Sequence, residues 1–239
     1  MGRVYGGNVI LVRYAGERYA GGDAAAGIES LHAFSFGHFY DPDNLRFGAL
    51  LACNEERLAP GAGFDEHPHR DTEIVTWVVE GELTHRDTAG HATVVRPGDL
   101  QRLSSAGGVR HAERNEGTAP LVFLQMWLAP LEPGGEPDYE VVRGIADATP
   151  YALPRAGALL HVRRLRAGER SAVPDAPSVY AQVVRGAVRL DGPDRTEGAG
   201  GTAELGPGDS ARITDARGLE LVAGAGDTAA EVLLWEMPA

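Results

Sequence analysis

The apolar residues of this chain come in short runs rich in β-branched and aromatic side chains. Examples are 74-IVTWVV-79, 92-ATVV-95, 121-LVFLQMWL-128, 159-LLHVRRL-165, 179-VYAQVV-184 and 231-EVLLW-235. Gly, Pro or Asp clusters bound most of them, which is the pattern of strands closed by turns. The 32 glycines and 15 prolines supply those turns. Sustained helical periodicity is absent, so the chain reads as all-β.

Two segments echo each other. The first half contains 77-WVVEGELTHRD-87 followed by 97-PGD-99, and the second 181-AQVVRGAVRLDG-192 followed by 207-PGD-209. Each is a strand, a glycine, a second strand, a turn and then Pro-Gly-Asp, as a duplicated β unit would be. The stretch from Pro130 to Pro154, rich in Pro, Gly and acid, reads as a linker with a short helical turn. The expected division is 1–134 and 135–239, the second part beginning with that linker.

A net charge of −12 without a compensating basic run disfavours direct contact with nucleic acid. Cys53 is the only cysteine, so no intramolecular disulfide can form. No window approaches the apolar length of a membrane helix, and the opening residues lack a signal-peptide core. A cytoplasmic protein is the expectation.

The chemistry concentrates in 65-DEHPHRDTE-73 and 107-GGVRHAERN-115. His67 and His69 stand two apart, as do His111 and Glu113, and residues i and i+2 of a strand project from one face. One such pair is a weak signal; two pairs, beside hairpins able to bring them together, are a much stronger one. Three imidazoles and a carboxylate suit a divalent first-row metal (Fe, Mn, Ni, Co, Cu or Zn) and leave positions for water, dioxygen or substrate. Glu73 competes for the carboxylate role, because a strand running unbroken from His69 would turn it inward as well.

The stretch GAGFDEHPHRDTE, with its glycine at Gly61, fits the first cupin motif, and PGDLQRLSSAGGVRHAERN, ending at Asn115, fits the second. With 34-FSFGHFYDPDN-44, the chain resembles the pirins, most closely the quercetinase-like bacterial ones, strongly over roughly the first 140 residues. The resemblance implies two cupin-type barrels, each a double-stranded, jelly-roll-like β-helix, with one metal in the N-terminal barrel, iron as Fe(II) by preference. It implies His67, His69, His111 and Glu113 as ligands, with Glu73 behind them as a hydrogen-bond acceptor and Glu113 or Glu73 as the base. It further implies a flavonol dioxygenase using quercetin, or another small aromatic enol, and dioxygen; the alternative is a metal- or redox-sensing regulator that binds a protein partner. The C-terminal half carries ERSAVPDAPS after Gly168 where a ligand motif would stand, so that barrel is expected to be degenerate and metal-free. His32, His38, His85, His91 and His161 read as structural or solvated, and Trp77 and Cys53 as core.

Overall fold

The computed structural model describes residues 3–5, 8–147, 149–192, 202–226 and 229–239. The chain forms two compact units, one of Arg18–Ile145 and one of Met1–Glu17 with Ala146–Ala239. No described helix is long and apolar enough to cross a membrane.

Strands β1 (Arg3–Tyr5) and β2 (Asn8–Arg13) come first. The unit that follows runs through β3 (Tyr19–Asp23), β4 (Ile28–His32), β5 (Leu50–Leu58), β6 (Gly63–His69), β7 (Glu73–Glu80) and β8 (Leu83–Asp87). It continues with β9 (Ala92–Val95), β10 (Leu100–Ser104), β11 (Val109–Arg114), β12 (Leu121–Leu128) and β13 (Asp138–Val142). The rest of the chain forms β14 (Tyr151–Leu153), β15 (Ala158–Leu165), β16 (Arg170–Ala172), β17 (Ala176–Arg185) and β18 (Val188–Asp191). Last come β19 (Thr202–Leu205), β20 (Ser210–Ala216), β21 (Glu220–Ala223) and β22 (Ala230–Met237).

Each unit pairs a seven-stranded with a four-stranded sheet. The orders are β13-β10-β7-β12-β5-β4-β3 with β6-β11-β8-β9, and β1-β2-β20-β17-β22-β15-β14 with β16-β21-β18-β19. The all-β, two-barrel expectation is what the chain adopts. The units do not divide at 134/135, and two pairings explain why. β13, inside the stretch expected to be a linker, extends the first unit's sheet beside β10 from Leu100↔Val142 to Ser104↔Asp138. β2, at the start of the chain, pairs with β20 of the second unit from Val9↔Thr214 to Arg13↔Ser210.

The repeated Pro-Gly-Asp turns are one device used twice. Asp99 Oδ2 accepts from Arg96 N at 3.1 Å, and Asp209 Oδ2 accepts from Gly206 N at 2.8 Å. Each aspartate thereby closes its own turn ahead of a strand.

The interiors differ. In the second unit one continuous apolar cluster, including Val179, Ala181, Val183, Leu190, Ile213, Leu221 and Leu234, joins both sheets. In the first, an apolar layer at one end contains Leu58, Val78, Leu83 and Phe123. Two residues further along the same strands stand Glu56, Thr76, His85 and Gln125, all buried and polar. Strand alternation keeps these on the interior face. Ile74, Leu103 and Val109, with Trp127 and Tyr139 against them, close the far side of this polar layer.

The two site-bearing strands approach closely. A Cβ on Gly63 of β6 would lie 2.5 Å from the Glu113 carbonyl and 2.6 Å from Arg114 Cα of β11. Gly63→Ala must therefore push β6 off β11, at a cost of about 1–3 kcal/mol typical of overpacking. A lowered midpoint in chemical denaturation checks this; an unchanged midpoint contradicts it.

Candidate metal centre

β6 and β11 are antiparallel, with His67 opposite His111 and His69 opposite Val109. A bulge sets Asp65 and Glu66 against the single residue Ala112, so the register steps to Phe64 opposite Glu113. The extra residue brings Phe64 and His67 to the same face although they are three apart. On its other side β11 meets β8, with Glu113 opposite His85 and His111 opposite Asp87. The short sheet thus presents His67, His69, His111, Glu113 and His85 to the barrel interior.

The sequence-predicted histidines come together. Ring centroids are 4.9 Å apart for His67–His69, 4.6 Å for His67–His111 and 4.8 Å for His69–His111. One ligand nitrogen of each lies within 4.8 Å of the others. His67 Nδ1 donates to the Asp65 carbonyl at 2.7 Å, an arrangement that leaves the Nε2 lone pair free. His69 Nε2 and both ring nitrogens of His111 are buried without a hydrogen-bond partner. An unmet buried polar atom costs about 1–3 kcal/mol. Three converging imidazoles with unused nitrogens are the donor set a first-row cation takes up, so these residues fit a metal.

Burial also keeps two of the rings neutral. His69 is pushed down to about 4, first by loss of solvent and then by the neighbouring His111 and His67, against a small opposing pull from Glu113. His111 is pushed down to about 4 by burial, with Glu113 pulling the other way and His67 and His85 adding to the fall. Neutral rings are the ligating form.

Glu113 sits beside this trio rather than within it. Its Oε1 accepts from Gln101 Nε2 at 2.9 Å and its Oε2 from Gln125 Nε2 at 2.6 Å. One of its oxygens forms a second group with His111 and His85, again with ligand atoms within 4.8 Å of one another.

Glu73 does not stand behind the histidines. The strand from His69 does not run on: Asp71 adopts a positive φ of 51°, and the chain crosses from the short sheet to the long one before Glu73. Thr76 and Gln101, which face the centre, are each three residues from Glu73 and Ser104, so alternation turns the latter pair to the opposite face. There Ser104 Oγ donates to Glu73 Oε1 at 2.6 Å. The second-layer place expected for Glu73 presupposed an unbroken strand.

His85, read from sequence as structural, is fully buried at the centre. Its Nε2 lies 3.1 Å from Asp87 Oδ2, while its Nδ1 is buried without a partner. The alternation in 83-LTHRD-87 was the available signal. Gln101 and Gln125 gave none, being single polar residues in apolar strands. Of the remaining histidines, His32 is buried and stacked on Phe36, His161 meets Glu236 at 2.8 Å, and His38 and His91 are exposed. Trp77 and Cys53 are buried.

Half-buried aromatic rings border the trio. Trp127 meets His69 edge-on at 4.9 Å, Phe36 meets Trp127 at 5.1 Å, and Phe64 lies 6.4 Å from His67. Deeper in, Glu56 takes a hydrogen bond from Ser30 Oγ. Burial, together with Glu113 and Glu55, raises it to about 8 despite that bond, so it stays protonated at neutral pH.

Two facing-sheet barrels, one with a histidine-lined interior, define a bicupin. The family model described as Pirin matches residues 14–128. A Mycobacterium tuberculosis protein provisionally named quercetin 2,3-dioxygenase is 42% identical over 229 residues, 89% of each chain. The Escherichia coli K12 protein named quercetin 2,3-dioxygenase is 41% identical over 134 residues, 55% of this chain and 57% of that one. The crystal structure of the Escherichia coli pirin YhhW in complex with nickel(II) superposes with a TM-score of 0.82 at 30% identity, covering 96% of this chain and 99% of that one. The chain belongs to the pirin family.

The depressed histidines fix a pH dependence. Unfolded, they take up protons near the ordinary value of 6.5; folded, only near 4. The unfolded state therefore binds more protons between these values, and stability is full above about 6.5 and lost as pH falls toward 4. Denaturation midpoints of the metal-free chain should fall across that window, and less steeply after His69→Gln. A midpoint flat from pH 7 to 4 contradicts the burial of neutral rings.

Proposed function

We propose that this protein is a metal-dependent dioxygenase acting on a flavonol such as quercetin. The observation that carries the reading is the convergence of His67, His69 and His111, with unpartnered buried nitrogens on His69 and His111, beside the buried carboxylate of Glu113. The names of the pirin relatives support the substrate class, and the nickel bound by one of them supports a divalent first-row ion.

His67, His69 and His111 would hold the cation, with Glu113 as the fourth ligand or as the base. The preferred ion is Fe(II), with Ni, Mn, Co, Cu and Zn compatible with the same donors. When bound, it supplies Lewis acidity toward an enolic hydroxyl.

The chain's own residues do the rest. Glu113, the carboxylate nearest the trio, takes the proton of the flavonol 3-hydroxyl. Glu73 is the weaker candidate because it faces away. Trp127, Phe36 and Phe64 offer ring faces and edges to a flat aromatic substrate and exclude water beside it. The overall change places one atom of dioxygen on C2 and the other on C4, breaks the C2–C3 and C3–C4 bonds and releases C3 with its own oxygen as carbon monoxide, leaving a depside; the atoms balance without another reductant. The C-terminal barrel, with its apolar interior, serves as a metal-free support.

The test is dioxygen uptake and carbon monoxide release with quercetin by chain loaded in turn with iron, nickel and copper. Both gases should change in a one-to-one ratio, and His69→Ala should lose metal and turnover together. A fully loaded chain that consumes no dioxygen with any of these metals overturns the enzymatic reading and leaves the regulatory one.

A further inference from the structure

Glu113 reaches across the barrel onto a row of three side chains on the opposite sheet. Thr76 of β7 is in register with Gln101 on β10 and with Gln125 on β12. The two glutamines flank it, and each donates its amide N–H to a different oxygen of Glu113. All four residues are buried.

An amide can present either its N–H or its oxygen, so something must fix which end faces the carboxylate. Trp127 Nε1 donates to Gln125 Oε1 at 3.0 Å. An indole N–H cannot accept, so this bond forces the amide oxygen away from Glu113 and the N–H toward it. Tyr139 Oη donates to Gln101 Oε1 at 3.0 Å, and the remaining Gln101 N–H reaches Thr76 Oγ1 at 3.2 Å.

We propose that Gln101 and Gln125 are positioning residues that clamp Glu113 by both oxygens, with Trp127 setting the polarity of the clamp. The inference deepens the reading of a metal centre and rests on it for its functional meaning. Two consequences follow. Glu113 is presented to the centre in one orientation, with only its remaining lone pairs available. Trp127, whose ring also packs T-shaped against His69, ties the carboxylate and the imidazoles into one unit.

Trp127→Phe keeps the ring and removes the N–H; Gln125→Met keeps the length and removes the amide. In apo chain titrated with Co(II) against a chromophoric chelator, each should weaken affinity about tenfold, the scale of lost outer hydrogen bonds at metal sites, and alter the cobalt visible spectrum. In a Glu113→Gln background the same substitutions should change affinity less than about twofold, because the clamp no longer holds a carboxylate. Equal losses in both backgrounds, or no loss in either, overturn the proposal. If the unsubstituted chain takes up no Co(II), the metal reading fails, and the clamp is judged on the metal-free chain. There the shifts in denaturation midpoint for Gln125→Met and Glu113→Gln should be non-additive; additive shifts overturn it. Gln125→Met serves in both arms should Trp127→Phe fail to fold.

Discussion

Everything at the centre depends on one strand pairing, β6 against β11. His67 lies opposite His111 only in this register, and a one-residue slip would turn one partner's donors to the outside. The bulge at Ala112 lets Phe64 and His67 share the interior face within that register. Gly63 permits the close approach that the pairing needs. On its second edge β11 is held by β8, so the strand carrying His111 and Glu113 is fixed from both sides.

The two barrels show what that pairing is set against. Both share a central strand order, β10-β7-β12-β5-β4 in one and β20-β17-β22-β15-β14 in the other, and the same aspartate-closed turn before a strand. In one, the space between the sheets is filled by Val, Leu, Ile and Ala. In the other, apolar layers bracket a polar one, and that layer is buried at a cost unless its groups find partners. Glu113 finds two amides, Gln101 finds Thr76 and Tyr139, and Gln125 finds Trp127. His69, His111 and His85 retain nitrogens that protein groups do not satisfy. The layer is thus complete on its carboxylate side and open on its imidazole side, and the open side is where a cation fits.

Period-two spacing made the His67–His69 and His111–Glu113 pairs legible, because a strand's alternation is local. The strand runs and the duplicated turn made the two-barrel fold legible for the same reason. Glu73 was not, because its place depends on where the chain leaves one sheet for the other, and that is decided at Asp71 by a positive φ and a backbone bond to Ala106. The pairing of β2 with β20 spans most of the chain and leaves no local mark. β13 was hidden in a Pro- and Gly-rich stretch whose composition is that of a linker. Gln101 and Gln125 acquire meaning only when β10 and β12 flank β7, a fact of sheet order rather than of sequence spacing.

Charge explains why the barrel tolerates two carboxyl groups so near each other. Glu56 and Glu113 both lie in the polar layer, and the carboxylate of Glu113 adds to the cost of ionising Glu56. Burial and this repulsion hold Glu56 protonated to about 8, and the hydrogen bond from Ser30 does not reverse that. The neutral Glu56 adds no negative charge beside the centre at neutral pH. Glu113 therefore meets amide donors on one side and, on the other, the His111 ring that burial keeps neutral. Neutral imidazoles neither repel an incoming cation nor neutralise a carboxylate, so the field of Glu113 acts on a cation with little opposition. Had burial been weaker, His69 and His111 would protonate near 6.5, pair with Glu113 and oppose the cation by charge. The depth of the polar layer, set by the apolar layers on either side, is what keeps the site in its ligating form.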